Sequence, residues 1–329
     1  MSSEWFGQCA IIANDMSRNE FEYVPSDDWQ LPRDKGKPEI IGATGNETDL
    51  NQDSAHIWWR KGIVFGKSGR FEDALKAFDG AINLDPDHVA AWVGKGSANL
   101  SMGRCKEALN SFDKAINLDP HIAMAWRGKG IALLRLDMNS EALEAFSKAI
   151  NLDPDDAVAW QGKGAALMVL KRFGEALEAS DKAINLSPHD AVAWGNRGIL
   201  FYRQRRYHEA LDSFDRVVNL NPNKAHAWGS KGMALSRLKR YLEALESFDQ
   251  ALNIDPNDSV AWRGKGTALM ELKRFEEALE AFNIAVGLDP NDALAWDKRG
   301  IALAKLGMPE QAVRKLNRIT DDDSDDSER

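Results

Sequence analysis

The chain has 329 residues, 43% apolar and 28% charged, with a net charge of −9. No stretch approaches the about 18 consecutive apolar residues of a membrane-spanning helix, and two cysteines, Cys9 and Cys105, are too few for a disulfide framework or a four-ligand zinc site. The acidity sits at the ends: residues 1–54 carry 11 acids and 4 bases, and residues 320–329 carry 6 acids and 1 base. That leaves residues 55–319 at +3, far from the strongly basic domain of a nucleic-acid binder.

The first 54 residues open without a basic n-region, so they do not read as a secretory signal, and a cytoplasmic location is expected. Trp5, Cys9, Ile12 and Met16 stand at helical spacing and predict a short amphipathic helix. Pro25, Pro32, Pro38 and polar stretches come after it, a composition that resists packing. This acidic, non-repeat segment is expected to cap the first helices of the remaining chain or to lack fixed structure. The alternative is intramolecular docking of residues 1–54 as an internal ligand.

From Ala55 a single period takes over. Pro86, Pro120, Pro154, Pro188, Pro222, Pro256 and Pro290 are spaced by 34 residues, and Trp58, Trp92, Trp126, Trp160, Trp194, Trp228, Trp262 and Trp296 keep the same step. Eight units begin at 55, 89, 123, 157, 191, 225, 259 and 293. Within a unit, apolar residues at helical spacing run to a break near positions 15–16, then resume behind acids such as Glu276 and Glu277, which suit the positive end of a helix dipole. Each unit closes on Asn-Leu-Asp-Pro or a variant of it. Asn can close a helix in the left-handed conformation, proline forbids continuation, and Asp or Asn at position 33 can cap the next helix. Each unit is therefore predicted as two antiparallel helices.

Glycine holds position 8 in all eight units, from Gly62 to Gly300, and alanine holds position 20, from Ala74 to Ala312. A mid-helix glycine costs roughly 1 kcal/mol against alanine, so a steric reason is required. The expected reason is a close crossing of Gly over Ala, with Trp at position 4 and Phe at position 24 filling the space beside it. In the eighth unit Lys315 and Thr320 replace small and aliphatic residues, as the polar end of an array would. Residues 321–329 are expected to be a solvated acidic tail.

This pattern, W-x2-[LK]-G followed by A-x3-F and P on a 34-residue period, resembles the tetratricopeptide repeat (TPR) family. The resemblance covers 272 of 329 residues. It implies an all-α, right-handed α-solenoid, a superhelix of eight helix-turn-helix units over residues 55–320. It also implies that the first helix of each unit lines a concave face through positions 2, 5, 9, 12 and 13. Read onto this sequence, those positions nominate Lys67, Arg127, Arg135, Met168, Tyr202, Arg203, Arg237, Arg263, Met270 and Lys305 as a basic, Met-rich partner-binding surface. Arginines suit carboxylates and phosphorylated groups, and methionines suit adaptable contacts. Lys or Arg at position 7 of every unit is too regular to encode partner choice and reads as structural. The carboxylate clamp of co-chaperone TPR domains is missing, because no asparagine stands at position 9 in any unit.

Catalytic signals are weak. Gly94-Lys95-Gly96 and its copies lie inside a helix with no strand before them, so they are not a nucleotide fingerprint. The six histidines form no H-x3-H pair. The expected function is therefore a non-enzymatic scaffold or adaptor that binds a protein or peptide ligand in its groove and favours acidic partners. No cofactor, metal, nucleic acid or membrane is expected to take part. A self-associating structural array and a regulatory subunit of a separate enzyme are the alternatives.

Overall fold

The computed structural model describes residues 47–308, with side chains from Ser54 onward. The predicted N-terminal helix, the polar features at Lys315 and Thr320 and the acidic tail lie outside the described residues. Fifteen helices and no strands are described: α1 Glu47–Lys67, α2 Phe71–Leu84, α3 Val89–Ser101, α4 Cys105–Leu118, α5 Ala123–Arg135, α6 Asn139–Leu152, α7 Ala157–Val169, α8 Phe173–Leu186, α9 Ala191–Arg203, α10 Tyr207–Leu220, α11 Ala225–Arg237, α12 Tyr241–Ile254, α13 Ser259–Glu271, α14 Phe275–Leu288 and α15 Ala293–Lys305. The helices pair as the 34-residue period predicts, giving an all-α solenoid of helical hairpins. The chain divides between Pro188 and His189 into two compact units. The first unit holds repeats one to four and the second holds repeats five to eight. Helix α1 begins at Glu47, eight residues before the repeat boundary at Ala55.

The reason for the glycines differs from the expected one. A Cβ built on Gly62 would lie 2.5 Å from Phe78 of the same repeat, and one on Gly94 of the next repeat would also lie 2.5 Å from Phe78. Phe112 is held in the same way by Gly96 and Gly128, Phe146 by Gly130 and Gly162, and Phe248 by Gly232 and Gly264. Each of these position-24 phenylalanines thus slots between a glycine of its own hairpin and a glycine of the following one. Phe78, Phe112, Phe146 and Phe282 are fully buried. The position-20 alanines, such as Ala74, Ala108 and Ala142, are fully buried as well, but the glycine makes room for the ring rather than for the alanine. Ser180 replaces the ring in the fourth repeat and satisfies its hydroxyl on the Ala176 carbonyl at 2.9 Å; a Cβ on Gly164 beside it would meet nothing closer than 3.3 Å.

The turns also correct the sequence reading. Among the described residues, no asparagine closes a second helix in the left-handed region. The residue after the helix, Asp85 or Asp119 for example, is extended, because the proline next to it pushes its predecessor out of the α region. The left-handed residue is instead position 15, between the two helices of a hairpin. There Gly69, Gly103 and Gly307 have φ of 72–74°, and Asp137, Lys171, Arg205, Lys239 and Lys273 have φ of 60–62°. The cap lies at position 34, one residue later than expected. Asp156 accepts from the Ala159 amide at 2.9 Å, Asp258 from Ala261 at 2.9 Å and Asp292 from Ala295 at 3.0 Å. The position-31 aspartate takes the position-33 amide, as in Asp85 with Asp87 at 3.1 Å, and so folds the turn that carries the cap.

His88 fills the cap position for α3, and its Nδ1 accepts the Ala91 amide at 3.2 Å. Only an unprotonated Nδ1 can accept. Burial holds the imidazole below its ordinary pKa and the nearby His56 adds to the effect, against a raising influence from Asp85. The unfolded chain therefore binds the proton more readily than the folded one. The cap's contribution is complete above about pH 6.5 and is lost as pH falls below that value.

Two outcomes are expected. Gly128→Ala should destabilise the first unit by about 1–3 kcal/mol through overpacking, whereas Gly174→Ala, with nothing within 4 Å of the added carbon, should stabilise it by up to about 1 kcal/mol; urea unfolding reads both, and equal effects would refute the ring-slot account. Lowering pH from 7.5 to 5.5 should reduce the protection factors of amides at the start of α3, exchange rates being corrected for the intrinsic pH dependence, and His88→Asp should remove that acid sensitivity; an unchanged pH profile in the variant would rule out the histidine cap as its source.

Candidate protein-binding groove

The first helices of the repeats are pinned to the hairpin before them by a recurring set of contacts. The indole N–H of Trp92, Trp126 and Trp160 in the first unit, and of Trp228, Trp262 and Trp296 in the second, donates to the carbonyl of the proline six residues earlier at 2.8–2.9 Å. The position-7 cation lies over the same indole, as in Lys95 on Trp92 at 5.4 Å and Lys265 on Trp262 at 5.2 Å. Its ammonium also reaches an aspartate of the preceding second helix: Lys95 to Asp79 at 2.6 Å, Lys129 to Asp113 at 2.7 Å, Lys231 to Asp215 at 2.8 Å and Lys265 to Asp249 at 2.6 Å. These cations clamp successive hairpins.

In the second unit, repeats five to eight line a cavity of about 270 Å³. Met233, Val260, Ala268 and Leu294 supply apolar surface, and Arg237 and Lys298 supply cations. Tyr202 accepts a hydrogen bond from Arg237 Nε at 3.0 Å and packs edge-on against Tyr207, with ring centroids 5.4 Å apart. The Tyr241 hydroxyl donates to Glu271 at 3.3 Å; desolvation first, and the glutamate charge second, hold that phenol above its ordinary pKa.

The ten nominated residues do not share one environment. Tyr202, Arg237 and Arg263 line this cavity together. Lys67, Arg203, Met270 and Lys305 keep partial or full exposure on the first helices. Arg135 is half-buried, and its Nη1 donates to the Leu100 carbonyl at 2.8 Å. Three expectations need correction. Met168 is 6% exposed and belongs to the core. Arg127 and Arg263 are 9% and 7% exposed. Arg127 pairs with Asp156 at 3.0 Å and Arg263 pairs with Asp292. Each arginine thus neutralises the aspartate that caps the next repeat and braces the turn, instead of offering its charge to a partner. Asp258 is the contrasting case: Gly229 stands where the arginine would be, and burial raises the carboxyl above its ordinary pKa.

Lys298 is a lining cation that the sequence reading missed. Position 6 is Gly, Ser or Asn in repeats two to seven, so a lysine there was a legible outlier. Among the described residues, no group of three or more His, Cys, Asp or Glu could hold a metal ion, and no helix is long and apolar enough to cross a membrane.

Stacked 34-residue hairpins with these contacts define a repeat protein of the TPR class, and the comparisons agree. Matches to the Tetratricopeptide repeat family cover residues 60–104, 99–157, 139–191, 196–259 and 235–301. The chain belongs to the tetratricopeptide repeat family. No curated protein matches the chain. Among solved structures it is similar to the APC/C hetero-tetramer Cut9-Hcn1, with TM-score 0.65 and 19% identity over 78% of this chain and 52% of that one. The chain therefore spans about half of that protein's length. It is also similar to Pseudomonas aeruginosa pilF, with TM-score 0.57 and 19% identity over 64% of this chain and 95% of that one. YrrB, a TPR protein with an unusual peptide-binding site, matches with TM-score 0.50 and 26% identity over 57% of this chain and 96% of that one.

The ion-pair assignment has a direct check. Arg263→Ala should lower stability by about 3–5 kcal/mol, because it leaves Asp292 buried without its counter-charge. Arg237→Ala, at an exposed position, should change it by no more than about 1 kcal/mol. Denaturant unfolding of the two variants measures this, and equal losses would show that Arg263 does not brace the turn.

Proposed function

We propose that the chain is a cytoplasmic, non-enzymatic scaffold or adaptor that binds a partner's peptide or helix along the open side of its first helices. The TPR fold is an interaction scaffold, and a solenoid of this kind offers an extended surface rather than an enclosed chamber. The observation that carries the reading is the 270 Å³ cavity of repeats five to eight, where apolar side chains from successive repeats meet Arg237 and Lys298. A ligand with an apolar anchor flanked by carboxylates suits that lining, since the cations can pair with the carboxylates while the anchor leaves water. The peptide-binding site named for YrrB supports the same reading by analogy. With Arg127 and Arg263 neutralised internally, acidic preference rests on Arg237, Lys298 and the exposed cations around them.

Fluorescence polarisation against labelled peptide pools tests this. Acidic peptides with an apolar anchor should bind more tightly than basic ones, and Arg237→Glu with Lys298→Glu should weaken them by about tenfold or more, a change near 1.4 kcal/mol, with helical content unchanged. Equal affinity in the variant, or no preference between acidic and basic pools, would overturn the assignment.

A further inference from the structure

Position 5 of a first helix and position 34 of the same repeat carry matched side chains in four repeats. Trp59 approaches His88, with ring centroids 5.9 Å apart. Val93 and Ile122 share one apolar cluster. Arg127 pairs with Asp156 at 3.0 Å, and Arg263 pairs with Asp292. All four members of the two ion pairs are buried.

Repeat six breaks the match. Position 34 is Asp258, but position 5 is Gly229. Asp258 is half-buried, and its Oδ1 accepts the Ala261 amide at 2.9 Å. Among the described residues no lysine or arginine pairs with this carboxylate. The Arg263 charge reaches it, but that guanidinium is committed to Asp292. Burial outweighs the influence of Arg263 and holds the carboxyl above its ordinary pKa.

Gly229 has no packing reason of the kind that the position-8 glycines have. A Cβ added there would meet nothing within 4 Å, although the glycine itself is buried. It is the floor of an opening. A mid-helix glycine gives up roughly 1 kcal/mol, and glycine suits places where a ligand must come close to the backbone. The opening stands in the register from which Arg127 and Arg263 reach their aspartates. Repeat five also has glycine at position 5, Gly195, but Lys224 stands at its position 34, so of the two repeats only the sixth offers an anion. Gly229 lies one turn before Met233, and Asp258 two residues before Val260; Met233 and Val260 line the groove cavity.

We propose that the opening at Gly229 binds the guanidinium of an arginine side chain on a partner protein, with Asp258 as its counter-ion. The partner's arginine completes in trans the pair that Arg127 and Arg263 complete in cis. The planar guanidinium fork suits a carboxylate better than an ammonium does. A ligand carrying carboxylates for Arg237 and Lys298 and one arginine for Asp258 satisfies cavity and opening together. The site extends the groove reading without resting on it, because its probe needs neither an apolar anchor nor a carboxylate.

An amide NMR titration of the full-length chain with N-acetylarginine methylamide tests the proposal. The Gly229, Val260 and Ala261 amides should shift saturably. The citrulline analogue, similar in shape but uncharged, should bind at least about tenfold more weakly, and Asp258→Asn should weaken the arginine probe by as much. Asparagine caps a helix about as well as aspartate, so that variant should stay folded. Gly229→Arg should block the probe by supplying an arginine in cis. Its urea midpoint should exceed that of Gly229→Ala, and the excess should vanish in an Asp258→Asn background. No shift at these amides, equal binding of the citrulline analogue, or probe binding that survives Gly229→Arg overturns the proposal. Equal midpoints for the arginine and alanine variants, or an excess that persists without the aspartate, would show that the opening does not lead to Asp258 and overturn it too. Tighter binding of free L-arginine than of the blocked probe would assign the site to a small molecule and overturn the partner side chain as its ligand.

Discussion

The insertion of one phenylalanine ring between two glycines is the constraint on which the rest of the structure depends. Phe112 lies against Gly96 of its own hairpin and Gly128 of the next, so one side chain sets both the crossing within a repeat and the stacking between repeats. A ring so placed has no room for a Cβ on either side, and close-packed interiors do not yield space cheaply. Each glycine gives up roughly 1 kcal/mol of helix propensity, which the buried ring more than offsets. The tryptophan–proline hydrogen bond and the lysine–aspartate pair then fix the rotation of each hairpin about that contact.

Function follows from which side of the first helix this packing consumes. Positions 3 and 10 pack against the preceding hairpin, and in repeats five to eight residues from positions 2, 6, 9, 12 and 13 line the cavity. The cavity of repeats five to eight gathers Tyr202 from repeat five, Met233 and Arg237 from repeat six and Val260 from repeat seven. Columns that hold one residue type, such as alanine at positions 3 and 10 of most repeats, pack the array.

Much of this was legible in the sequence. The proline and tryptophan spacing gave the period, the hairpin and the family, and position 8 announced a steric demand. What misled was the identity of the neighbour. Alanine at position 20 pairs naturally with glycine in a sequence argument, but only coordinates in space show that the ring of position 24 lies over the glycine. The second glycine of the slot was obscured because Arg60, Asn196, Ser230 and Lys298 interrupt its column. Arg127 and Arg263 looked like groove cations because their counter-ions, Asp156 and Asp292, lie 29 residues away in a column that also holds His88, Ile122 and Lys224. A one-dimensional reading counts charges and cannot see which are already neutralised.

A double-mutant cycle between Gly128 and Phe112 tests the central claim most directly, with stability read by denaturant unfolding of the full chain. If the ring occupies the space that glycine leaves, Gly128→Ala should cost far less in a Phe112→Leu background than alone, with a coupling energy of about 0.5–3 kcal/mol. Losses that simply add would mean that ring and glycine do not share that space, and the account of how these hairpins stack would fail.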